Sequence, residues 1–146
     1  MNVAGVIPIL APPQAVDAAL HDPKILQRML PACEAVDHLG PGQFRGHLAR
    51  KVGLLTLRIE PDIRLVPLAD GTGFDLSVDA SSRIAGSFAA RLRLTIRREP
   101  LGTRMFWEGT VTTTGLAQRL LAERQDQIDA RVTGLFTTLK AALEGG

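Results

Sequence analysis

The sequence predicts an α+β fold in which a curved antiparallel sheet packs against one long C-terminal helix. Hydrophobic and polar residues alternate through much of residues 33–114, a pattern typical of strands with one solvated face. Two short segments that begin with proline come before that region, and apolar residues recur at helical spacing between Leu116 and Leu143. A helix of about 40 Å needs one large apolar surface, and the inner face of the sheet is the surface available to it.

Length and composition predict one folded domain that spans residues 1–146. The chain is 45% hydrophobic and 22% charged, proportions that suit a globular protein rather than a disordered one. Its single cysteine cannot form an internal disulfide, and no Cys/His pair has zinc spacing, so we expect a reducing compartment, the cytoplasm. The apolar start "MNVAGVIPIL" has no basic region before it, so we expect neither a signal peptide nor a membrane helix.

The middle of the chain is locally basic. The net charge is only +2, but Pro41–Arg104 contains eleven basic and six acidic residues. Because the two signs are interspersed, a solvated sheet face is the expected interpretation, with a docking surface as the alternative. Aromatic residues make up 4% of the chain and tyrosine is absent, so there are few rings for base stacking and no nucleic-acid partner is expected.

The first elements are predicted from residue spacing and from capping residues. Residues 2–10 have the character of a strand. "APPQAVDAALHD" predicts a helix with proline in its first turn and with Val16 and Leu20 on one face. "DPKILQRMLP" predicts a second short helix with Asp22 as its N-cap. The expected buried side of that helix consists of Ile25, Leu26 and Met29.

Four segments then alternate with a period of two, as half-buried strands do. They are "TLRIEPDIRLV", "FDLSVDA", "RIAGSFAARLRLTIRRE" and "TRMFWEGTVTT". The turn signals "GPG" (40–42), "ADGTG" (69–73) and "PLG" (100–102) separate predicted strands. Together they predict an antiparallel sheet covered on one side.

The last segment predicts a single helix over Leu116–Leu143. Its apolar stripe consists of Leu120, Leu121, Ile128, Val132, Leu135, Leu139 and Leu143. The stripe is interrupted at "AERQDQ" (122–127), where the helical period directs Arg124 or Gln125 inward. Two interpretations remain: these residues touch water at an open mouth, or they provide a polar group inside a cavity.

This order of elements resembles the helix-grip fold of the START-like, pollen-allergen-like and polyketide-cyclase superfamily. Short motifs resemble one family within it, the CoxG family of carbon monoxide dehydrogenase. They are "AP" (11–12), Val16, "AL" (19–20), "DP" (22–23), Leu26, "LP" (30–31), "CE" (33–34), "KVG" (51–53), "GTR" (102–104) and "LAQRL" (116–120). The resemblance implies an accessory protein, not a catalytic component of the enzyme, with a hydrophobic pocket for a lipid-like or quinone-like ligand.

The function that we expect from this resemblance is non-enzymatic binding or carriage of a hydrophobic small molecule, with no cofactor of its own. The implied partners are that molecule and a molybdenum hydroxylase complex, and a peripheral membrane contact is a further expectation because many members carry a membrane tail. In the cavity hypothesis, Arg124 or Gln125 binds the polar head of the ligand while apolar side chains surround its body. The candidate ligand-binding residues are Leu57, Leu76, Leu92, Met105, Trp107, Arg124, Gln125 and Ile128. The apolar members fit a fully packed core equally well.

Two alternatives stay open. A cyclase or aromatase would use acid-base groups in the same cavity, and a docking module would have a filled core and use its arginine-rich outer face. We predict no catalytic residue and no metal ligand. Cys33 is expected to be a buried framework residue at a helix-to-strand junction, with His38 on the opposite face of the strand. His47 is expected to face outward beside Arg45 if Phe44 faces inward.

Overall fold

The computed structural model describes residues 1–83, 86–115 and 125–145. The order of elements is the predicted one. It runs β1 (Asn2–Ile9), α1 (Pro13–Leu20), α2 (Pro23–Met29), β2 (Cys33–Gly40), β3 (Gln43–Val52), β4 (Leu55–Ile59), β5 (Asp62–Pro67), β6 (Gly73–Ser82), β7 (Gly86–Glu99), β8 (Gly102–Thr114) and α3 (Gln125–Glu144). The predicted residues 116–124 of the last helix, and Ile84, lie outside the described ranges.

The strands form one antiparallel sheet in the order β1-β8-β7-β6-β5-β3-β2, and β4 also pairs with β3. β4 and β5 share a single register along β3, since Leu48 pairs with Ile59 and Phe44 with Ile63. Between these pairs the Gly46 amide donates to the Pro61 carbonyl at 2.9 Å. Proline has no amide hydrogen to return, so Pro61 interrupts an otherwise continuous strand. The predicted alternation of inward-facing and outward-facing side chains therefore continues from β4 into β5 and is confirmed.

The local signals for α2 and for the β2–β3 turn are confirmed. The Asp22 carboxylate accepts a hydrogen bond from the Lys24 amide at 2.9 Å, as an N-cap does. Pro41 and Gly42 connect β2 to β3, and Gly42 has a φ of 66°, a left-handed conformation that glycine adopts without strain. Within α2, Leu26 is buried, whereas Ile25 and Met29 are half-buried.

Helix α3 lies along β1 and runs in the same direction. At its start the Gln125 amide donates to the Asn2 carbonyl. Near its end Lys140 Nζ donates to the Pro8 carbonyl at 2.7 Å, and Glu144 accepts from the Leu10 amide at 3.2 Å. These side chains cover polar backbone groups of the β1 edge, which would otherwise be free to pair with another strand.

We call the end of the sheet at which β1 and α3 begin the upper end, and the end near Ile9 the lower end. At the lower end α1 contacts β7 and β8, and the Thr103 hydroxyl donates to the Ala11 carbonyl at 2.7 Å. Both short helices also contact α3. The hydrophobic core lies between the inner face of the sheet and these three helices.

Candidate ligand-binding site

The middle of the inner face is solidly packed. The Trp107 ring stacks on Phe136 of α3 with 4.5 Å between ring centroids. Gly5 of β1 pairs with Trp107, and a Cβ atom there would overlap the indole ring. Leu94 and Met105 have no exposed surface. The side chains in this part of the face are buried as in a protein core, so almost none of their surface is accessible to a ligand.

The inner face near the upper end is more open. Leu76, Val78 and Phe88 of β6 and β7 are half-buried and pack against the core, as does Ile128 in the first turns of α3. Small residues separate them, since Gly109 pairs with Leu92 and Ala90 with Val78. The result is an apolar wall of partly accessible side chains, the chemistry that suits the body of a hydrophobic ligand. We call Leu76, Val78, Phe88 and Ile128 the upper wall.

The sequence-predicted apolar residues divide between these two regions. Leu76 and Leu92 lie on the inner face of the sheet toward the upper end, and Ile128 packs against the core from the first turns of α3. Met105 and Trp107 lie in the packed middle, where each is at most 3% exposed. Leu57 is buried on β4, apart from the main core cluster. Val78 and Phe88 share this face but are not among the candidate site residues, because alternation does not report partial exposure.

The predicted polar group is only partly described. Gln125 is exposed, and its amide donates to the Asn2 carbonyl and to the Asp129 carboxylate. Its side chain thus lies against the β1 edge, which for Gln125 favours the interpretation in which it touches water. Arg124 lies outside the described residues, so its role stays a prediction.

The histidines have aromatic or acidic neighbours. His47 faces outward as expected, with Nε2 2.7 Å from the Asp37 carboxylate and Nδ1 3.6 Å from that of Glu60. The hydrogen bond to Asp37, more than any other cause, raises the pKa of His47. His38 stacks on Phe44 with 5.0 Å between ring centroids. The acid-base pair formed by His47 therefore lies on the outer face, away from the upper wall.

Cys33 lies at the predicted helix-to-strand junction, but two expectations about it are wrong. It is half-buried rather than buried, and its thiol donates to the Ala35 carbonyl at 3.2 Å. Cys33 and His38 both pair with inward-facing residues of β3, Leu48 and Phe44, so they share a face. A register shift between Cys33 and Ala35 inserts one residue and reverses the expected parity. His38 still lies roughly 13 Å further along the strand, out of reach of the thiol.

The outer face carries a broad groove of about 730 Å³ that crosses the strands from β1 to β5. Its arginines are paired across strands, Arg93 with Asp75 at 3.2 Å and Arg91 with Asp79 at 2.9 Å. The hydrogen bond that Arg93 donates to the Asp75 carboxylate raises the pKa of Arg93 above its already high value. The predicted solvated face of mixed charge is thus observed.

Metal ligands and membrane spans are both missing from the described part of the chain. Within residues 1–83, 86–115 and 125–145, no group of three His, Cys, Asp or Glu side chains is placed to hold a metal ion. In the same ranges, no helix has the length and apolar character needed to cross a membrane.

Solved structures share this fold over nearly their whole length. A conserved protein from Geobacillus kaustophilus has a TM-score of 0.78 at 16% identity, covering 98% of this chain and 95% of its own. A START superfamily protein from Mycobacterium smegmatis has a TM-score of 0.66 at 12% identity, covering 99% and 97%. An AHSA1-like protein from Aeromonas hydrophila has a TM-score of 0.59 at 16% identity, covering 99% and 93%. The predicted helix-grip fold is confirmed.

The amino-acid sequence matches one family over nearly its entire length. No match was found among curated protein sequences. The family model of CoxG, a component of carbon monoxide dehydrogenase, matches residues 5–143. That range takes in the upper wall, all but the last residue of α3 and the motifs of residues 11–34 on which the resemblance is based. The chain therefore belongs to the CoxG family of carbon monoxide dehydrogenase.

Proposed function

We propose that this protein is a non-enzymatic carrier of a quinone-like or lipid-like molecule and serves a molybdenum enzyme of the carbon monoxide dehydrogenase type. The apolar body of the ligand contacts the upper wall, between the sheet and the first turns of α3. Family membership supports the accessory role, and the partly accessible apolar wall supports the chemistry of the ligand.

The observation that carries the proposal is the contrast within one face of the sheet. Trp107 and Leu94 are almost entirely buried, whereas Leu76 and Phe88, one and three inward-facing rows further up, retain accessible surface. Ile96 toward the lower end is also partly buried, but near the upper end three neighbouring sheet residues, Leu76, Val78 and Phe88, keep accessible surface together. The alternative of a filled-core docking module predicts no such difference.

The enzymatic alternative requires an acid-base pair beside the ligand. The pair that His47 makes with Asp37 and Glu60 lies on the opposite side of the sheet from the upper wall. This geometry favours a carrier over a cyclase or aromatase.

Fluorescence of Trp107 provides the binding test, because it is the only tryptophan in the chain. Leu92 and Leu94 lie on one face about 7 Å apart, and Leu94 pairs with Trp107, so a quinone beside Leu92 should quench the indole emission. We expect saturable quenching when a soluble quinone is titrated into delipidated protein. Native mass spectrometry of protein purified without delipidation should identify the ligand that is carried.

A matched pair of substitutions locates the site. Val78→Thr introduces a hydroxyl into the upper wall with little change in shape and should weaken quinone binding several-fold, by about 1 kcal/mol. Val66→Thr makes the same change on the outer face, where Val66 is exposed, and should leave the affinity unchanged. The carrier proposal fails if no quinone or lipid is recovered and none added to the protein quenches Trp107.

A further inference from the structure

The distal half of the β3–β4 hairpin, residues 48–59, projects beyond the sheet at the upper end. β5 pairs with Gln43–Arg45 of β3, whereas the pairs of β4 lie further along, from Leu48 to Val52. β2 reaches only to Leu48, through Cys33. Past that position the sheet continues as two strands, which extend on the side where the upper wall is accessible. We call residues 48–59 the projecting hairpin.

The tip of the projecting hairpin exposes two consecutive leucines. Leu54 is fully exposed and Leu55 is 61% exposed. Gly53, with a φ of 63°, makes the turn that presents them. Single exposed leucines are common on soluble proteins, but two side chains at the most protruding point of a hairpin are placed to enter another apolar phase.

The charged residues of the projecting hairpin are all basic. Residues 48–59 include Arg50, Lys51 and Arg58 and no acidic residue. Arg58 lies 3.7 Å from the Glu34 carboxylate, while Arg50 and Lys51 take part in none of the ion pairs found between described residues. On the outer face, by contrast, Arg91 and Arg93 are paired with Asp79 and Asp75. This hairpin thus combines an apolar tip with uncompensated positive charge on its stem.

We propose that the projecting hairpin docks the protein on an anionic phospholipid bilayer. Leu54 and Leu55 enter the interfacial region, and Arg50 and Lys51 contact anionic headgroups. Charge complementarity favours an anionic bilayer as the partner, because a neutral apolar partner would gain nothing from the basic stem. Docking turns the upper end toward the membrane, so a ligand would pass from the bilayer to the upper wall without crossing water. In this last respect the inference rests on the proposed function.

Flotation with vesicles tests the docking without any added ligand. Delipidated protein is mixed with vesicles of phosphatidylcholine alone, or with phosphatidylglycerol at about a third of the lipid. We expect binding to the anionic vesicles that weakens as salt is raised. Arg50→Gln combined with Lys51→Gln should weaken that binding by about tenfold or more, since each basic residue near an anionic surface contributes appreciably.

The apolar tip has a matched control at the lower end. Leu54→Ser combined with Leu55→Ser should release the protein from anionic vesicles, whereas Leu101→Ser should bind like the parent. Leu101 is 83% exposed on the turn between β7 and β8, near Ile9. All these positions are exposed, so circular dichroism and thermal unfolding should show that the variants keep the fold.

Three results would overturn the inference: no binding to anionic vesicles, equal binding by the hairpin variants and Leu101→Ser, or a dimer in light scattering that the leucine substitutions dissociate. The last result would mean that Leu54 and Leu55 contact a second copy of the chain instead of a membrane. Quinone quenching of Trp107 in the same variants separates the two proposals. Retained quenching with lost vesicle binding in the hairpin variants would support both proposals. In Val78→Thr, quinone binding weakened several-fold together with retained vesicle binding would support docking and the location of the site.

Discussion

At the scale of single residues, Gly5 determines how the centre of the molecule packs. Its missing side chain lets the Trp107 indole lie against β1 and stack on Phe136. Gly134 on α3 is the opposite case, because a Cβ atom there would meet open space. The two glycines are equally inconspicuous in the sequence, and only the packing around them separates their roles.

The same substitution at these two glycines should therefore have opposite effects on stability. Gly5→Ala should lower the free energy of unfolding by about 2 kcal/mol, since the added methyl group displaces a stacked ring in a packed core. Gly134→Ala should raise it by about 0.5–1 kcal/mol, because alanine loses less conformational entropy in a helix. Urea unfolding followed by Trp107 emission measures both, and equal effects of the two changes would contradict this account of the core.

At the scale of elements, the upper part of the sheet is joined by side chains across strands. His47 of β3 contacts Asp37 of β2 and Glu60 beyond β4. A pattern of alternating residues predicts that His47 faces outward, as it does, but the pattern cannot say which carboxylates lie across from it. That depends on strand register, and the shift beside Cys33 changes the register by one residue.

The contact of His47 should make stability depend on pH. Because its pKa is raised in the folded state, its contribution is fully present below the ordinary value of 6.5 and is lost as the pH rises through the raised value. His47→Gln should remove this dependence, so its melting temperature should approach that of the parent between about pH 6 and about pH 9. Asp37→Asn should flatten the profile in the same way. Parallel profiles for His47→Gln and the parent protein would show that the pair does not stabilise the fold.

At the scale of the whole molecule, resistance to local opening should be high where β7, β8 and α3 meet and low at the projecting hairpin. Leu94, Met105 and Leu139 have no exposed surface. Beyond Leu48, β3 and β4 pair with each other at the margin of the sheet. Local opening should follow this gradient, because few buried contacts oppose the separation of a protruding hairpin.

Hydrogen exchange should reveal the gradient directly. Backbone amides of β7 and β8 around Leu94 and Met105 should exchange slowest, and those of residues 48–59 should exchange orders of magnitude faster. Mass spectrometry of peptides after timed labelling gives both rates in one experiment. Protection of the hairpin equal to that of β8 in the free protein would contradict its description as a projecting element.

The sequence by itself determined the element order, the faces of the strands, the capping of α2 and the family, because period, proline and turn residues act locally and are printed in the chain. It also placed Leu76 and Leu92 correctly on the inner face of the sheet and Ile128 on the side of α3 that packs against the core. Tertiary structure alone decided which part of that face is solid and which is accessible, because this depends on where α1, α2 and α3 lie over the sheet. It likewise decided that Gln125 covers the β1 edge, that a one-residue shift turns Cys33 to the face of His38, and that Leu54 and Leu55 are exposed at the tip of a hairpin that projects from the upper end of the sheet. Each of these facts arises from contacts between residues far apart in the chain, which local periodicity does not contain.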